Sequence, residues 1–150
     1  MFNRFAISMI LAFVLVGAMP QAQAKPLNAA ALTAWLAAYG AAWQTRDAAA
    51  VGKLFTAEAT YHEMPFDAPK AGRAAIEEYW RGVTGDQRDV VFKSEVVSVN
   101  GKTGVAHWSA NFRVPSTGAT IELDGVFVLE FDAAGSCSSL REWWHVRAGG

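Results

Sequence analysis

The stretch VAHWSANFRVPSTGATIELDGVFVLEF, residues 105–131, alternates apolar and polar side chains on both sides of a central turn. Such alternation is typical of strands that bury one face, and Pro115–Gly118 predicts the turn between them. Two further turns are predicted, at Asn100-Gly101 before this stretch and at Asp132–Gly135 after it. From Val90 onward we therefore predict four strands joined by consecutive hairpins, which form an antiparallel sheet.

Upstream of the sheet, apolar residues recur with the period of a helix. The two repeating sets are Leu32, Trp35, Leu36, Tyr39 and Trp43 for a first helix, and Ile76, Tyr79, Trp80 and Val83 for a third that ends near Gly85. Asn28 and Asp47 predict caps for the first helix and for a short second one. A strand from Ala59 to Met64 is predicted between the second and third helices. Because helices precede a long sheet, we predict an α+β fold with three helices packed on one face of a curved antiparallel sheet and a cavity at one end.

The composition excludes several classes of protein. With 150 residues, 52% hydrophobic and 18% charged, the chain fits one globular domain rather than a disordered segment. Its 13 basic and 14 acidic residues give no positive surface for nucleic acid. The three histidines, His62, His107 and His145, show no metal-ligand spacing, so we predict no metal and no cofactor. The single cysteine, Cys137, is predicted to pack within a strand.

Residues 1–24 have the three regions of a cleavable secretory signal. Arg4 provides the positive start, Phe5 to Val16 the apolar region, and Ala22-Gln23-Ala24 a small-x-small cleavage site before Lys25. An uncleaved membrane anchor is the alternative, but a span needs roughly 20 apolar residues and this run is shorter. We therefore expect an exported protein, periplasmic or secreted, with one domain from residue 25 to residue 150 and no membrane association after cleavage.

The strand phases indicate what lines the cavity. The inward sets are Ala106, Trp108, Ala110 and Phe112; Ile121, Leu123, Gly125, Phe127, Leu129 and Phe131; and Leu140, Glu142, Trp144 and Val146. Glu142 is an acid among apolar neighbours, and this would be explained by a bulge or strand-end position that returns it to water, or by pairing with Arg141 or Arg147. The predicted pocket residues are Trp80, Trp108, Phe112, Phe127, Glu142 and Trp144. Such a pocket suits a small apolar or aromatic ligand.

Several local strings, in this order, resemble the nuclear transport factor 2-like superfamily, and most closely its SnoaL-like group. The strings are Arg46-Asp47, Leu54-Phe55, Ala59-Thr60-Tyr61, Pro65-Phe66, Gly72-Arg73-Ala74-Ala75-Ile76, Phe131-Asp132, Gly135 and Arg141-Glu142-Trp143-Trp144-His145. The resemblance covers essentially the whole chain after residue 24 and implies a cone-shaped α+β barrel. It implies no single activity, because this fold hosts isomerases, dehydratases, epoxide hydrolases, cyclases and proteins without chemistry. It also implies a homodimer formed through the sheet.

The ketosteroid isomerase branch can be aligned residue by residue, anchored on Asp47, Phe55, Ala59-Thr60 and Gly72. This resemblance implies that Tyr39 stands at the position of the oxyanion-binding tyrosine and Glu63 at that of the general base. The second oxyanion donor of that branch, an aspartic acid, falls on Phe127. Losing one such donor costs on the order of 10²–10³ in rate, which argues against an efficient ketosteroid isomerase.

The chemistry of this pair can also be stated from the residues. A carboxylate in a dry pocket has a raised pKa and can exchange a proton near neutrality, which would suit Glu63. A buried tyrosine such as Tyr39 can donate a hydrogen bond to a developing oxyanion. Two structural alternatives remain open: Tyr39 bonded to a backbone carbonyl in the core, and Glu63 at a solvated strand end. His62, His145 and Asp124 are predicted to face away from the cavity.

Two functional hypotheses follow. In the first, an exported SnoaL-like enzyme uses Glu63 and Tyr39 for acid–base isomerisation, dehydration or cyclisation of a carbonyl compound. In the second, the domain is a non-catalytic ligand-binding or dimeric interaction module. The pKa of Glu63 would separate the two, because an unperturbed acid has little use as a base at neutral pH.

Overall fold

The computed structural model describes residues 26–149, so the predicted signal sequence lies outside the described residues. Three helices and six strands follow one another in the order α1 (Ala29–Thr45), α2 (Ala48–Gly52), β1 (Phe55–His62), β2 (Lys70–Ala71), α3 (Arg73–Thr84), β3 (Arg88–Asn100), β4 (Thr103–Val114), β5 (Ala119–Phe131) and β6 (Cys137–Gly149). Within residues 26–149, no helix is long and apolar enough to cross a membrane.

The predicted helix caps are confirmed. The Asn28 side chain accepts a hydrogen bond from the backbone N–H of Ala31 at 2.9 Å, and that of Asp47 accepts one from Ala50 at 2.9 Å. Each side chain thereby satisfies a donor that the first helical turn leaves free. Both caps fix the point at which the chain enters its helix, and so set the direction of the apolar face.

The six strands form one curved, unclosed sheet in the order β2-β1-β6-β5-β4-β3, which confirms the α+β class. All neighbouring pairs are antiparallel except β1 and β6, which run parallel. The hairpin turns that predict antiparallel pairing link only the four later strands, whereas β1 has no hairpin link to its neighbour β6. The N–H of Cys137 donates to the carbonyl of Leu54 at 2.9 Å where these two strands begin.

Strand β1 differs from its predicted bounds. It begins at Phe55 rather than Ala59 and ends at His62, so Glu63 and Met64 follow the strand instead of closing it. The short strand β2, which pairs with β1 through Thr60 and Tyr61, was not predicted. The physical reason for the early start is tertiary, because the first residue of β1 pairs with β6 and no local pattern marks that contact.

The core consists largely of aromatic rings between the helices and the concave face of the sheet. Gly40 lets α1 approach the sheet, because a Cβ at this position would lie 2.5 Å from the Phe92 ring. Gly125 has a similar role on β5, where a Cβ would lie 2.6 Å from the Trp143 carbonyl oxygen and 3.0 Å from Trp108 Cε2. The Trp108 indole therefore lies across Gly125, where a larger residue would displace it.

Cys137 is fully buried and packs within the core, as predicted. Its thiol donates to the Ser139 carbonyl at 3.3 Å. Burial raises the pKa of the thiol to about 12, so the group stays protonated and unreactive near neutral pH.

Candidate active site

A cavity of about 280 Å³ lies between α1, α3 and the concave face of the sheet. Its wall is mainly aromatic and includes Tyr39, Trp43, Tyr61, Tyr79, Trp80, Trp108, Phe112 and Trp144. Val83 and Val146 are exposed and lie at the mouth. Two acids, Glu63 and Glu142, complete the wall, and no Lys, Arg or His among residues 26–149 lines it. The cavity therefore combines an apolar surface with carboxyl groups.

The cavity brings together all of the predicted site residues except Phe127. Those on its wall are Tyr39, Glu63, Trp80, Trp108, Phe112, Glu142 and Trp144. Phe127 is fully buried and does not line the cavity. Its ring stacks on Trp108 with centroids 5.0 Å apart and meets Tyr39 edge-on at 5.4 Å. Phe127 thus packs beneath the rings of Trp108 and Tyr39, which separate it from the cavity.

Three side chains on three different elements form a buried chain of hydrogen bonds. The Tyr39 and Tyr61 hydroxyl oxygens are 3.0 Å apart, and the Tyr61 hydroxyl donates to Glu142 Oε1 at 2.9 Å. Since Tyr61 gives its proton to Glu142, Tyr39 donates to Tyr61. The backbone-carbonyl alternative for Tyr39 is therefore not what the structure shows. Tyr61 was missed from sequence, although it shares the strand phase of Glu63.

Glu142 is the most deeply buried carboxyl group of the cavity, with 6% of its surface exposed. None of the structural explanations for this acid holds. Glu142 lies well inside β6, and the register of β5 and β6 is unbroken beside it. Arg141 is exposed and forms no ion pair with Glu142 in the described part of the chain, and Arg147 pairs with Glu122 instead. Burial is the main cause that raises its pKa to about 8, the charge of Glu63 adds to it, and the bond from Tyr61 opposes it. At pH 7 the group is therefore mainly a neutral carboxylic acid.

Glu63 has a different environment at the rim of the same cavity. It follows β1, is half-buried, and its carboxylate pairs with Lys70 Nζ at 3.7 Å. The Lys70 ammonium also lies 4.8 Å from the centroid of the Tyr79 ring. Burial raises the pKa of Tyr79, and the neighbouring Glu63 raises it further. The site thus holds an ion-paired acid at its rim and a dry acid deeper inside.

The two inner tyrosines keep their protons throughout the physiological range. Burial raises the pKa of Tyr39 well above its ordinary value, and the nearby Glu142 adds to the effect. The same two causes raise the pKa of Tyr61. Both hydroxyls are therefore hydrogen-bond donors rather than bases, and they hold the Glu142 carboxyl in a fixed orientation.

Polar residues on the opposite face of the sheet take no part in the cavity. His107 Nε2 lies 3.0 Å from Asp124 Oδ2 and its Nδ1 lies 3.3 Å from Glu95 Oε1, and His145 is exposed. These residues face away from the cavity, as the strand phase predicts. In the described part of the chain, no group of three or more His, Cys, Asp or Glu is placed to hold a metal ion.

The SnoaL-like domain family matches residues 36–139, more than half of the chain. The chain therefore belongs to this family, a group within the nuclear transport factor 2-like superfamily. No curated protein matches the chain. The family accounts for the order of helices and strands, while the chemistry has to be argued from the cavity.

Three solved structures illustrate the range of proteins with this fold. The first is the epoxide hydrolase/cyclase-like enzyme SalBIII, described for its role in pyran ring formation in the polyether salinomycin. It is 19% identical to this chain with a TM-score of 0.68, and the match covers 78% of this chain and 95% of SalBIII. A putative isomerase from Bacillus subtilis is 20% identical with a TM-score of 0.69, covering 79% and 90%. A computationally designed 17-OHP binder is 19% identical with a TM-score of 0.68, covering 79% and 96%. At these identities the likeness shows the fold alone.

Proposed function

We propose that the protein binds a small, mainly apolar carbonyl compound in its cavity and catalyses an acid–base rearrangement such as an isomerisation. The observation that carries this proposal is Glu142, a buried carboxylic acid that is fixed by Tyr61 on the wall of an aromatic cavity. Preorganised donors in a dry site stabilise developing negative charge far better than water does. Glu142 in its neutral form is such a donor.

Glu142 supplies what Phe127 lacks. The resemblance to ketosteroid isomerases places an acidic oxyanion donor at position 127, where this chain has a phenylalanine. Glu142 lies directly opposite Phe127 on the adjacent strand. The acid is thus moved by one strand while the fold is unchanged. Tyr39 acts through Tyr61, and both hydroxyls position the carboxyl group that faces the ligand.

Glu63 is the proposed base in this reaction. Its carboxylate removes a proton from the carbon next to the ligand carbonyl, the electron pair of that C–H bond forms a C=C bond to the carbonyl carbon, and the π pair of the carbonyl moves onto its oxygen. The resulting enolate oxygen accepts a hydrogen bond from Glu142. Return of the proton from Glu63 to another carbon of the same system gives the isomer, so no atom is gained or lost. Its ion pair with Lys70 holds Glu63 at the rim.

Proton removal can be tested without knowing the natural substrate. The probe is 1-tetralone in D₂O, and the measurement is the rate at which deuterium replaces its α-protons, followed by NMR. We expect the protein to accelerate this exchange. Glu63→Gln should abolish the acceleration, and Glu142→Leu should reduce it by about 10²-fold, as for the loss of one oxyanion donor.

Glu122→Gln is the matched control, because Glu122 is an exposed acid of β5 that pairs with Arg147 outside the cavity. This variant should exchange deuterium at the rate of the unaltered protein. An acceleration that survives Glu63→Gln, or a rate in the unaltered protein no faster than in buffer, would contradict the proposed base.

A non-catalytic binding protein is the second candidate. The observation in its favour is that Tyr39, Tyr61 and Glu142 bond to one another, so that both tyrosine hydroxyl protons have an acceptor without a ligand. In that case the cavity would bind 1-tetralone with no exchange above buffer. Binding detected by tryptophan fluorescence, together with the exchange rate, separates the two candidates.

We also propose that the protein is exported after removal of residues 1–24. The support is the charged start, apolar region and small-x-small site of that segment. Expression of the full chain in a bacterium, followed by N-terminal sequencing of the periplasmic fraction, should show Lys25 as the first residue. A chain retained in the cytoplasm with Met1 intact would contradict this proposal.

A homodimer through the outer face of the sheet is proposed as well. Val126 and Trp143 are cross-strand partners on that face, and Trp143 is 49% exposed. A large exposed aromatic on a sheet face is common where subunits meet. Light scattering should give the mass of a dimer for the unaltered protein and of a monomer for Trp143→Glu. A monomer in both cases would contradict this arrangement.

A further inference from the structure

The last strand of the sheet is paired on one side only over half of its length. On the side of β1, the pairing ends where His62 stands opposite Arg141, whereas pairing with β5 continues as far as Gly149 opposite Thr120. Within residues 26–149, no loop or turn gives a backbone hydrogen bond to residues 143–149. These residues, the free edge of β6, therefore have main-chain N–H and C=O groups that point away from β5 without a partner strand.

The free edge lacks the features that usually protect an exposed strand. In contrast, β3 at the margin of the sheet has register shifts between Arg88 and Val91 and between Val96 and Ser98. Such irregularities hinder the addition of a further strand. The register of residues 143–149 against β5 is unbroken, and the segment contains neither proline nor lysine. A regular edge of this kind is able to pair with another strand.

A groove of about 250 Å³ lies beside the start of the free edge. It lies between the loop that follows β1 and the strand β6, and its lining residues are Glu63, Met64, Pro65, Glu142, Trp143, Trp144 and His145. Because consecutive residues of β6 line it, the groove lies at the edge itself and not on one face of the sheet. An apolar cavity of roughly 150 Å³ holds a benzene ring, so the groove can receive a large apolar side chain.

Basic side chains follow this edge on the outer face of the sheet. Arg141, His145 and Arg147 share one phase of β6, and all three are exposed. The other phase is apolar at Trp144 and Val146, which face the cavity. A strand that adds to this edge therefore matches it best when acidic residues on its outer face alternate with apolar residues on its inner face.

Strand β5 already has this pattern, and it pairs with the same residues from the other side. Glu122 stands opposite Arg147 with an ion pair between them, and Asp124 stands opposite His145. Leu123, between the two acids, points into the cavity. The alternation of β5 is thus the complement that this part of β6 accepts within the folded chain.

We propose that the free edge of β6 binds an extended segment of a partner protein, in which acidic and apolar residues alternate, as an additional antiparallel strand. The main chain of that segment pairs with residues 143–149, and one of its apolar side chains fills the groove. The main-chain groups of the edge lie in the plane of the sheet, so this site is distinct from the outer face that carries Val126. Since Trp144 and Val146 also line the cavity, the added strand lies beside the cavity mouth.

The probe for this site is a peptide with the sequence of residues 120–126, TIELDGV, blocked at both ends. This sequence is chosen because β5 pairs it with residues 143–149 in the folded chain. Titration into ¹⁵N-labelled protein should shift the backbone amide signals of residues 143–149. It should also slow the exchange of alternate amides of this segment with D₂O, because those N–H groups gain acceptors.

Charge reversal tests the side-chain complementarity. The matched peptide has Glu122→Lys and Asp124→Lys, giving TIKLKGV, and should bind about tenfold more weakly at low salt. In the protein, Arg147→Glu should weaken binding of TIELDGV and strengthen binding of TIKLKGV. Arg113→Glu is the control variant and should change neither affinity, because Arg113 is an exposed arginine of β4 that pairs with Asp89 away from this edge.

N-methylation tests the main-chain pairing. Successive N–H groups of an antiparallel strand point to opposite sides, so methyl groups at two neighbouring positions of TIELDGV reach opposite edges of the bound strand. Two peptides are compared, one methylated at the nitrogen of its glutamate and the other at that of its leucine. One of them should lose binding and the other should keep it.

Three results would overturn the proposal: no binding of TIELDGV at millimolar concentration, equal affinity for the two charge variants of the peptide, or equal effects of the two N-methyl groups. Amides of residues 143–149 that are protected in the unbound protein, and lose this protection on dilution, would also overturn it, because a second copy of the chain would then occupy the edge. The exchange of 1-tetralone is a separate measurement, so either proposal can fail without the other.

Discussion

Phe127 and Glu142 are directly opposite each other on strands β5 and β6, and both are buried. One side chain is a core hydrocarbon that stacks on Trp108, and the other is an acid held by Tyr61. The pair places a hydrocarbon and a carboxyl group side by side in the same buried layer. Because the Glu142 carboxyl is buried, the free energy of unfolding should depend on whether this group is protonated.

Stability should fall as the pH rises from about 5 to about 8. The folded-state pKa of Glu142 is raised from 4.5 to about 8, so between these values the unfolded chain loses a proton that the folded chain keeps. Stabilisation is complete below pH 4.5, and the loss amounts to about 5 kcal/mol by pH 8. Urea denaturation at several pH values should show this slope.

Glu142→Gln isolates the contribution of this group, because the amide has no proton to lose in this range. The difference in unfolding free energy between the two proteins should change with pH between 5 and 8 and be constant above about 8. A difference that is independent of pH would mean that Glu142 titrates normally in the folded protein.

Tyr61→Phe should raise the pKa of Glu142 further. The Tyr61 hydroxyl donates to the carboxylate and so lowers this pKa against the effect of burial. Its removal should shift the titration of the ¹³C-labelled Glu142 carboxyl upward by about one unit. Tyr79→Phe is the control, because Tyr79 makes no hydrogen bond to Glu142 and the titration should stay in place. A downward shift in Tyr61→Phe would show that the hydroxyl favours the neutral acid.

The catalysed exchange of 1-tetralone should decline above about pH 8. In that range Glu142 loses the proton that it donates to the enolate oxygen. Glu142→Gln keeps an N–H donor without a titratable proton, so its exchange rate should be lower at neutral pH but should not decline near pH 8. If the exchange rates of both proteins decline alike near pH 8, another group causes the loss of activity at high pH.

Gly125→Ala should destabilise the protein by about 1–3 kcal/mol, as expected for overpacking. The added Cβ would meet the Trp143 carbonyl and the Trp108 indole within 3.0 Å and push that indole toward the cavity. Thermal unfolding measures the loss, and weaker binding of 2-methylnaphthalene would report the smaller cavity. Gly82→Ala is the matched control: Gly82 lies in α3 with nothing within 4 Å of its Cβ position. That change should stabilise the protein by about 0.5–1 kcal/mol.

Local patterns predict most of the fold. The caps at Asn28 and Asp47 and the two later hairpin turns depend on neighbouring residues, and the structure has them where the sequence indicates. The first turn lies one residue later than predicted, because Asn100 pairs with Thr103 and the loop is formed by residues 101 and 102. Strand β1 is different, because it begins at Phe55, whose pairing partner in the sheet is Cys137 of β6, far away in the sequence. Such a distant partner leaves no periodic signal in the strand itself.

The candidate site was only partly predictable for the same reason. Strand phase places Glu142 on the inner face, but its burial depends on the Tyr61 hydroxyl, which reaches it from β1. Tyr61 has the same phase as Glu63, so alternation along β1 contained a signal for its inward direction. Glu63 is the ion-paired acid because Lys70 of β2 lies beside it. Strand β2 has only two residues, too few to show a pattern in the sequence.

The position of β6 between β1 and β5 has a consequence for biosynthesis. The strand that completes the middle of the sheet follows the other described helices and strands in the sequence and is therefore synthesised after them, and it also carries Glu142. Until β6 is present, the sheet is incomplete and cannot fully cover the aromatic faces of helices α1 and α3. A premature stop upstream of Cys137 therefore removes the central strand and the buried acid together, and we expect no stably folded truncated product.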